Sequence, residues 1–229
     1  MSRRYLNEVR LGEPLKSDVR TIMHDVADRF GVRGAVRQRP VPHITLFGPY
    51  HCNQGHAAKA RTQRVLTEFD TVPFRIDGFD HFDQETIYAN VVPSPELRQL
   101  RQDLARELRP IASGYPDYDE DRYYQFHITV AFKDVGDQFK EIHEYVTRQY
   151  DLQRECYAKR VTALSGRSMM WEWDLPRGEE LRQQEATSRE SWQATDEALE
   201  ELKRREDHRF EDPKPKHAGW LRQKISGLF

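Results

Sequence analysis

The sequence predicts an α+β fold of two lobes, in which two antiparallel or mixed sheets flank a central cleft, helices lie outside, and a helical extension comes after them. Three observations lead there. A strand-helix-strand unit ending in His-Ile-Thr-aliphatic occurs twice, at His43-Ile44-Thr45-Leu46 and at His127-Ile128-Thr129-Val130. The apolar residues of each unit recur every second position in the strands and at helical spacing between them. Charge is concentrated at the C-terminal end, where 23 of the last 54 residues are charged against 51 of the first 175.

The elements come in this order. Alternation from Tyr5 to Leu11 predicts a strand, and Leu15, Val19, Ile22, Met23, Val26 and Phe30 line one face of a helix. The first His-x-Thr strand comes next, and Gly48-Pro49 behind it reads as a turn that ends it. A strand is expected at Pro73 to Phe82, another at Thr86 to Val92, then a helix from Pro95 to Ile111 carrying Leu97, Leu100, Leu104 and Leu108. The second His-x-Thr strand closes that unit. From first strand to histidine is 38 positions in one copy and 41 in the other, so the pair reads as a duplication. Strands at Lys159 to Ser165 and Ser168 to Asp174 complete a catalytic domain of residues 1–175.

Residues 176–229 form the extension. Trp192, Leu199 and Leu202 lie on one stripe of a long helix, Pro213 and Pro215 break it, and Leu221, Ile225 and Leu228 permit a short amphipathic end helix. Two roles fit the stripe: docking on its own domain, or dimerisation.

Composition narrows the function. In 229 residues, 36 Lys+Arg against 38 Asp+Glu leave a net charge of -2, which excludes a broad basic coat for nucleic acid but not a local basic cleft. No apolar run approaches the roughly 20 residues a membrane span requires, and no membrane partner is expected. The N-terminus has Arg but no apolar stretch behind it, so a secretory signal is not expected. Cys52 and Cys156 form no C-x-x-C, which fits a reducing, cytoplasmic compartment.

Strand parity assigns the faces. His43, Thr45 and Phe47 share one face opposite Ile44 and Leu46; Gln125, His127, Thr129, Ala131 and Lys133 share one opposite Ile128, Val130 and Phe132. The apolar rows belong in the core, so the His and Thr rows look into the space between the lobes. Two histidines across a cleft suit acid-base chemistry, because both forms of imidazole are accessible near neutral pH. Two threonine hydroxyls on the same faces can donate to phosphoryl oxygens. Lys133 could add a fixed charge, and the aromatic residues Phe47, Tyr50, Tyr123 and Tyr124 are candidates for stacking a base. His43, His51 and His56 lie close in sequence but show no metal-ligand spacing, so no metal or other cofactor is expected.

At these motifs the chain resembles the two-histidine (2H) phosphoesterase superfamily, in particular its 2′-5′ RNA ligase and RNA 2′,3′-cyclic phosphodiesterase branch. The resemblance spans roughly residues 4 to 175 and implies a duplicated bilobal fold. It further implies metal-independent opening of cyclic phosphodiesters, with an RNA end or cyclic nucleotide as substrate and 2′-5′ ligation as the reverse reaction. By position, His43 and His127 would be the catalytic pair, and Thr45 and Thr129 the phosphate-binding pair. Which histidine is the base depends on substrate orientation. The branch often carries Arg shortly after its second motif, where this chain has Phe132-Lys133; Lys is a point charge and not a bidentate fork. The site also fits ADP-ribose 1″,2″-cyclic phosphate, 2′-5′ oligonucleotides, or an RNA-binding module without turnover.

Overall fold

In the computed structural model, which describes residues 2–37, 41–117 and 124–209, the chain forms two antiparallel sheets. The first has the order β2-β1-β7-β8-β9, from His43–Cys52, Arg3–Arg10, Arg160–Ser165, Ser168–Asp174 and Glu179–Leu181. The second has the order β5-β4-β3-β6, from His127–Phe132, Thr86–Pro93, Pro73–Phe82 and Gln153–Tyr157. The helices are α1 (Leu15–Phe30), α2 (Gly55–Leu66), α3 (Pro95–Leu108), α4 (Phe139–Gln149) and α5 (Arg189–Arg209). Both motif strands are edge strands, and they lie side by side at the junction of the sheets.

The duplication is visible in the sheet orders, since β2-β1-β7-β8 corresponds to β5-β4-β3-β6. Each unit's helix, however, packs on the motif strand of the other unit: α1 against β5, and α3 against β2. One continuous apolar core therefore joins the lobes, from Val9, Ile44 and Val161 of the first sheet to Ile87, Val91 and Ile128 of the second, with Ile22 and Leu100 from the helices. A smaller cluster of Tyr5, Phe47, Tyr50, Ala58 and Leu108 fills the space beneath α2 and α3. α2, α4 and β6 carry no clear sequence signal, because few of their residues are apolar: α4 buries only Ile142 and Val146. α4 is held to α1 by Asp25, which accepts from the Tyr145 hydroxyl at 2.6 Å and the Tyr150 hydroxyl at 2.7 Å.

Strict alternation fails at the same place in both motif strands. On β2, Asn7 opposes Phe47 while Glu8 opposes Thr45, so Leu46 is an extra residue. On β5, Ile87 opposes Ala131 while Tyr88 opposes Thr129, so Val130 is extra. A bulge directly after each threonine reverses the facing of the residues beyond it. Phe47, expected on the cleft face, turns into the core and is 0% exposed; Ala131 likewise turns inward, and Phe132, expected in the core, turns outward. Gly48-Pro49 does not end the strand either. β2 runs on to Cys52, paired with Arg3 to Tyr5. Gly48 has φ +107°, and a Cβ there would meet the Tyr50 nitrogen at 3.0 Å and the Tyr5 carbonyl at 3.1 Å. Proline is tolerated beside it because the bulge asks for no ladder donor.

The expected domain boundary at residue 175 falls inside a hairpin of the first sheet, because β9 pairs with β8. α5 then docks on the polar face of that sheet through Arg160, which is fully buried. Its guanidinium donates to Glu172 at 3.2 Å, to the Thr195 hydroxyl at 2.8 Å and to the Ser191 hydroxyl at 2.9 Å. Trp192 covers it, the guanidinium carbon lying 3.8 Å from the ring centroid. Thr195 donates on to Asp174 at 2.5 Å. Of the expected stripe, Leu199 is buried while Trp192 and Leu202 are half-buried. The end helix with Leu221, Ile225 and Leu228, and Tyr123, lie outside the described residues. No helix among the described residues is long and apolar enough to cross a membrane. Removing Arg160 takes the buried guanidinium from between Glu172 and Asp174, both fully buried, and leaves their charge less compensated. Arg160→Ala is therefore expected to cost about 3–5 kcal/mol, read by urea unfolding; a loss below about 1 kcal/mol would show that the network does not hold the extension.

Candidate active site

The edge position of β2 and β5 places two imidazoles at the junction of the sheets. His43 Nδ1 lies 2.9 Å from the carbonyl of Val41, and His127 Nδ1 lies 3.0 Å from the carbonyl of Gln125. A carbonyl only accepts, so each Nδ1 carries the hydrogen, and each Nε2 is the atom left to exchange a proton. The same two-residue back-bond recurs in both copies, so the duplication extends to the tautomer.

The two surroundings differ. Behind His43 stands Glu8 of β1, whose Oε2 is 3.6 Å from Nδ1 and whose side chain is nearly buried. Burial pushes the Glu8 carboxyl up, against the opposing pull of His43 and Arg10. His127 instead sits among rings: Phe82 edge-on at 4.9 Å between centroids, Tyr88 at 5.3 Å and Tyr124 at 6.5 Å. Burial pushes the His127 imidazole below its ordinary 6.5, the Gln125 carbonyl opposes this, and the nearby His43 adds to the depression. Burial also drives the Tyr88 phenol up to about 12, so it stays a neutral wall.

In front of His43 opens a cleft of about 800 Å³ that reaches Thr129 on the other sheet. This volume lies within the range of about 300–1,000 Å³ usual for small-ligand sites. Its polar wall includes Glu8, Arg10 and Thr162 of the first sheet and Arg167 of the β7–β8 turn; Val41, Phe132 and Met169 supply apolar surface. Val41 and Phe132 are 46% and 37% exposed, and an apolar side chain held open at a cleft mouth is a ready contact for a flat ring. Gly34, after α1, shapes the opposite wall. Its nitrogen donates to Asp134 at 2.9 Å, and a Cβ there would fall 1.8 Å from the Phe132 carbonyl, so only glycine permits this approach.

The structure brings together only part of what the sequence suggests. His43, Thr129, His127 and Thr45 gather at the junction, the first two on the cleft wall itself. Phe47 and Tyr50 are fully buried and pack on one another at 5.1 Å, so neither offers a ring face to the cleft. Tyr124 is 8% exposed and carries the guanidinium of Arg101 at 3.7 Å on its ring. It supports His127 from behind. Lys133, at φ +75°, reaches back over the Phe132 ring at 5.1 Å and does not line the cleft. Glu8, Arg10, Phe132 and Arg167 do not stand out in the sequence. The recurrence of polar Glu8 and Arg10 on the parity of a strand's cleft face is the one signal there. Among the described residues no three His, Cys, Asp or Glu side chains are grouped to hold a metal ion.

Comparison with known proteins identifies a family and similar folds. The 2′-5′ RNA ligase superfamily matches residues 16–167 of the chain. Among solved structures, E. coli LigT complexed with NADP+ is similar in fold, with TM-score 0.51 and 13% identity over 76% of this chain and 99% of that one. Kluyveromyces marxianus Usb1 with uridine monophosphate aligns at TM-score 0.42 and 14% identity over 74% of this chain and 95% of that one. No curated protein matches the chain. The paired back-bonds have a direct spectroscopic consequence. Nitrogen-15 spectra above pH 8 should show both His43 and His127 as Nδ1–H tautomers, whereas an Nε2–H signature for either would mean its back-bond is not formed.

Proposed function

The chain belongs to the 2′-5′ RNA ligase superfamily of two-histidine phosphoesterases, enzymes of phosphodiester chemistry, and from that premise we propose that it hydrolyses the 2′,3′-cyclic phosphate of a nucleotide or RNA end to a 2′-phosphate without a metal ion. The observation that carries this reading is the matched pair of imidazoles on neighbouring edge strands, each with Nδ1 committed to a backbone carbonyl, so that Nε2 is the nitrogen left for proton exchange.

The difference between the two surroundings supports a division of labour. His127, held neutral by burial, is the base: its Nε2 takes a proton from water as the oxygen attacks phosphorus. His43, with the Glu8 carboxyl behind it, is the acid: its Nε2–H is given to O3′ as the P–O3′ bond breaks. One water is consumed, the 2′-phosphate remains, and proton exchange with solvent resets both rings. Charge that gathers on the non-bridging oxygens meets the hydroxyls of Thr45 and Thr129. Such donors cost little reorganisation because the strands already hold them. The Arg167 guanidinium on the cleft wall supplies the cationic surface that an anionic substrate requires. With the 5′-hydroxyl of a second RNA end in the place of water, the same two proton transfers open the cyclic phosphate with O3′ as the leaving group and leave a 2′-5′ diester, which is 2′-5′ ligation.

Purified protein should open 2′,3′-cyclic nucleotides equally well with and without EDTA. His43→Ala and His127→Ala should each lower kcat by about 10²- to 10⁴-fold, the usual contribution of one acid or base; undiminished turnover in both would sink the assignment. ADP-ribose 1″,2″-cyclic phosphate and 2′-5′ oligonucleotides in the same panel identify a different phosphodiester substrate if they alone are cleaved. Binding of RNA without any product would support a non-catalytic module. The acidic limb of the pH profile is set by His127. A base whose pKa is lowered stays deprotonated further into acid, so the acidic limb of kcat/KM should lie below 6.5. A limb above that value would exclude His127 as the base.

A further inference from the structure

The cleft has a wall that lies beyond the superfamily's match. Residues 182–188 lead from β9 into α5, and Gln183 and Thr187 of this strap line the same cavity as His43 and Thr129, although the match to the superfamily ends at residue 167. The strap is built to stay there. Its central residue, Ala186, is fully buried, and its carbonyl accepts from Arg10 at 3.0 Å and from Arg160 at 3.2 Å. Glu172, itself fully buried, holds both guanidinium groups, at 2.8 Å and 3.2 Å. Within the strap the Glu185 carboxylate accepts from the Arg182 nitrogen at 2.9 Å, and the Glu185 carbonyl from the Ser188 nitrogen at 3.0 Å. A loop tied at its centre by two arginines is a preorganised surface and loses little freedom when a ligand binds.

Its two cleft-lining side chains are exposed and polar. Gln183 offers both an amide donor and a carbonyl acceptor. The Thr187 hydroxyl donates to the Gln184 carbonyl at 3.2 Å, which turns its remaining capacity toward accepting. Across the same cavity stand Phe132 and Met169, apolar surfaces suited to the face of a ring. An apolar platform opposite paired donors and acceptors matches a nucleoside: a flat base with a polar edge, carried on a hydroxylated sugar.

We propose that the strap determines substrate specificity, with Gln183 and Thr187 hydrogen-bonding the nucleoside whose phosphate reacts between His43 and His127. The proposal rests on the cyclic-phosphodiesterase reading for the position of that phosphate. Its substrate is accordingly a terminal nucleotide, recognised through base edge and sugar as well as phosphate.

The test compares wild type with Gln183→Ala, Thr187→Ala and, as a control on the same strap, Gln184→Ala, which does not line the cleft. Kinetics on the four 2′,3′-cyclic mononucleotides should show KM raised about 3- to 10-fold by Gln183→Ala and by Thr187→Ala for at least one base, the size of one lost neutral hydrogen bond. The kcat of each should stay within about twofold, and Gln184→Ala should match wild type. Because the substituted side chains are exposed, melting temperatures should not move. Calorimetric titration with nucleoside 2′- and 3′-monophosphates should show the same 3- to 10-fold weakening in Kd. Unchanged KM and Kd in both variants would overturn the proposal, as would an equal effect of Gln184→Ala. If wild type turned over no cyclic phosphate but bound the monophosphates, the parent reading would fall, and the strap would be decided by the Kd values alone.

Discussion

The meeting of two sheet edges governs this molecule. An edge strand carries unpaired backbone groups, and proteins ordinarily blunt or cover such edges. Here β2 and β5 are the edges of their sheets and lie against each other without forming a ladder. Each leaves the carbonyl two residues before its motif histidine to receive that ring's own Nδ1 hydrogen. Edge placement, tautomer and the presentation of Nε2 are thus one constraint. The bulges after Thr45 and Thr129 belong to it as well. They allow a strand to show His and Thr to the cleft and then send Phe47 or Ala131 into the core within two residues.

The exchange of helices between units explains why a two-lobed arrangement can hold a site at its junction. Separate lobes, each with its own core, would be joined only by a surface contact and would be expected to move. With α1 on β5 and α3 on β2, the apolar core runs through the junction. Relative displacement of the two histidines would open buried apolar area at about 25 cal/mol per Å², which keeps both on a common frame. On the polar face of the first sheet, next to the cleft, Arg160 and Glu172 join that frame to the C-terminal extension at 3.2 Å, both fully buried. A buried ion pair is weak evidence for added stability but gives a single geometry when each partner is satisfied. That geometry carries the strap.

Duplication supplied the symmetry, and the surroundings break it. The two rings have equivalent back-bonds but unlike neighbours, a carboxylate beside one and aromatic walls around the other. Two groups of identical chemistry acquire different proton affinities when their environments differ in charge and burial. An acid and a base can therefore arise from two copies of one motif.

Local regularity makes much of this legible in the sequence. The repeated His-Ile-Thr strands, the α1 and α3 stripes and the β3, β4, β7 and β8 strands reflect two periods, 2.0 and 3.6, that need only neighbouring residues. His43, Thr45, His127 and Thr129 can be assigned to cleft faces because each lies before its bulge. Phe47 and Phe132 cannot, since register belongs to a strand pair and is absent from either strand alone. Tyr50 escapes for a related reason: its burial depends on α2, a helix with too few apolar residues to show a period. Glu8 beside His43, and Gln183 lining the same cleft as Thr129, are separated by 35 and 54 positions in the chain, and no periodicity relates such residues. The sequence alone determined the duplication and the facing of each His-x-Thr pair before its bulge, because those are properties of short segments. Only the tertiary structure decided which rings remain open, which histidine gains a carboxylate and which extension closes the cleft, because those depend on long-range pairing and on buried charge satisfied across the fold.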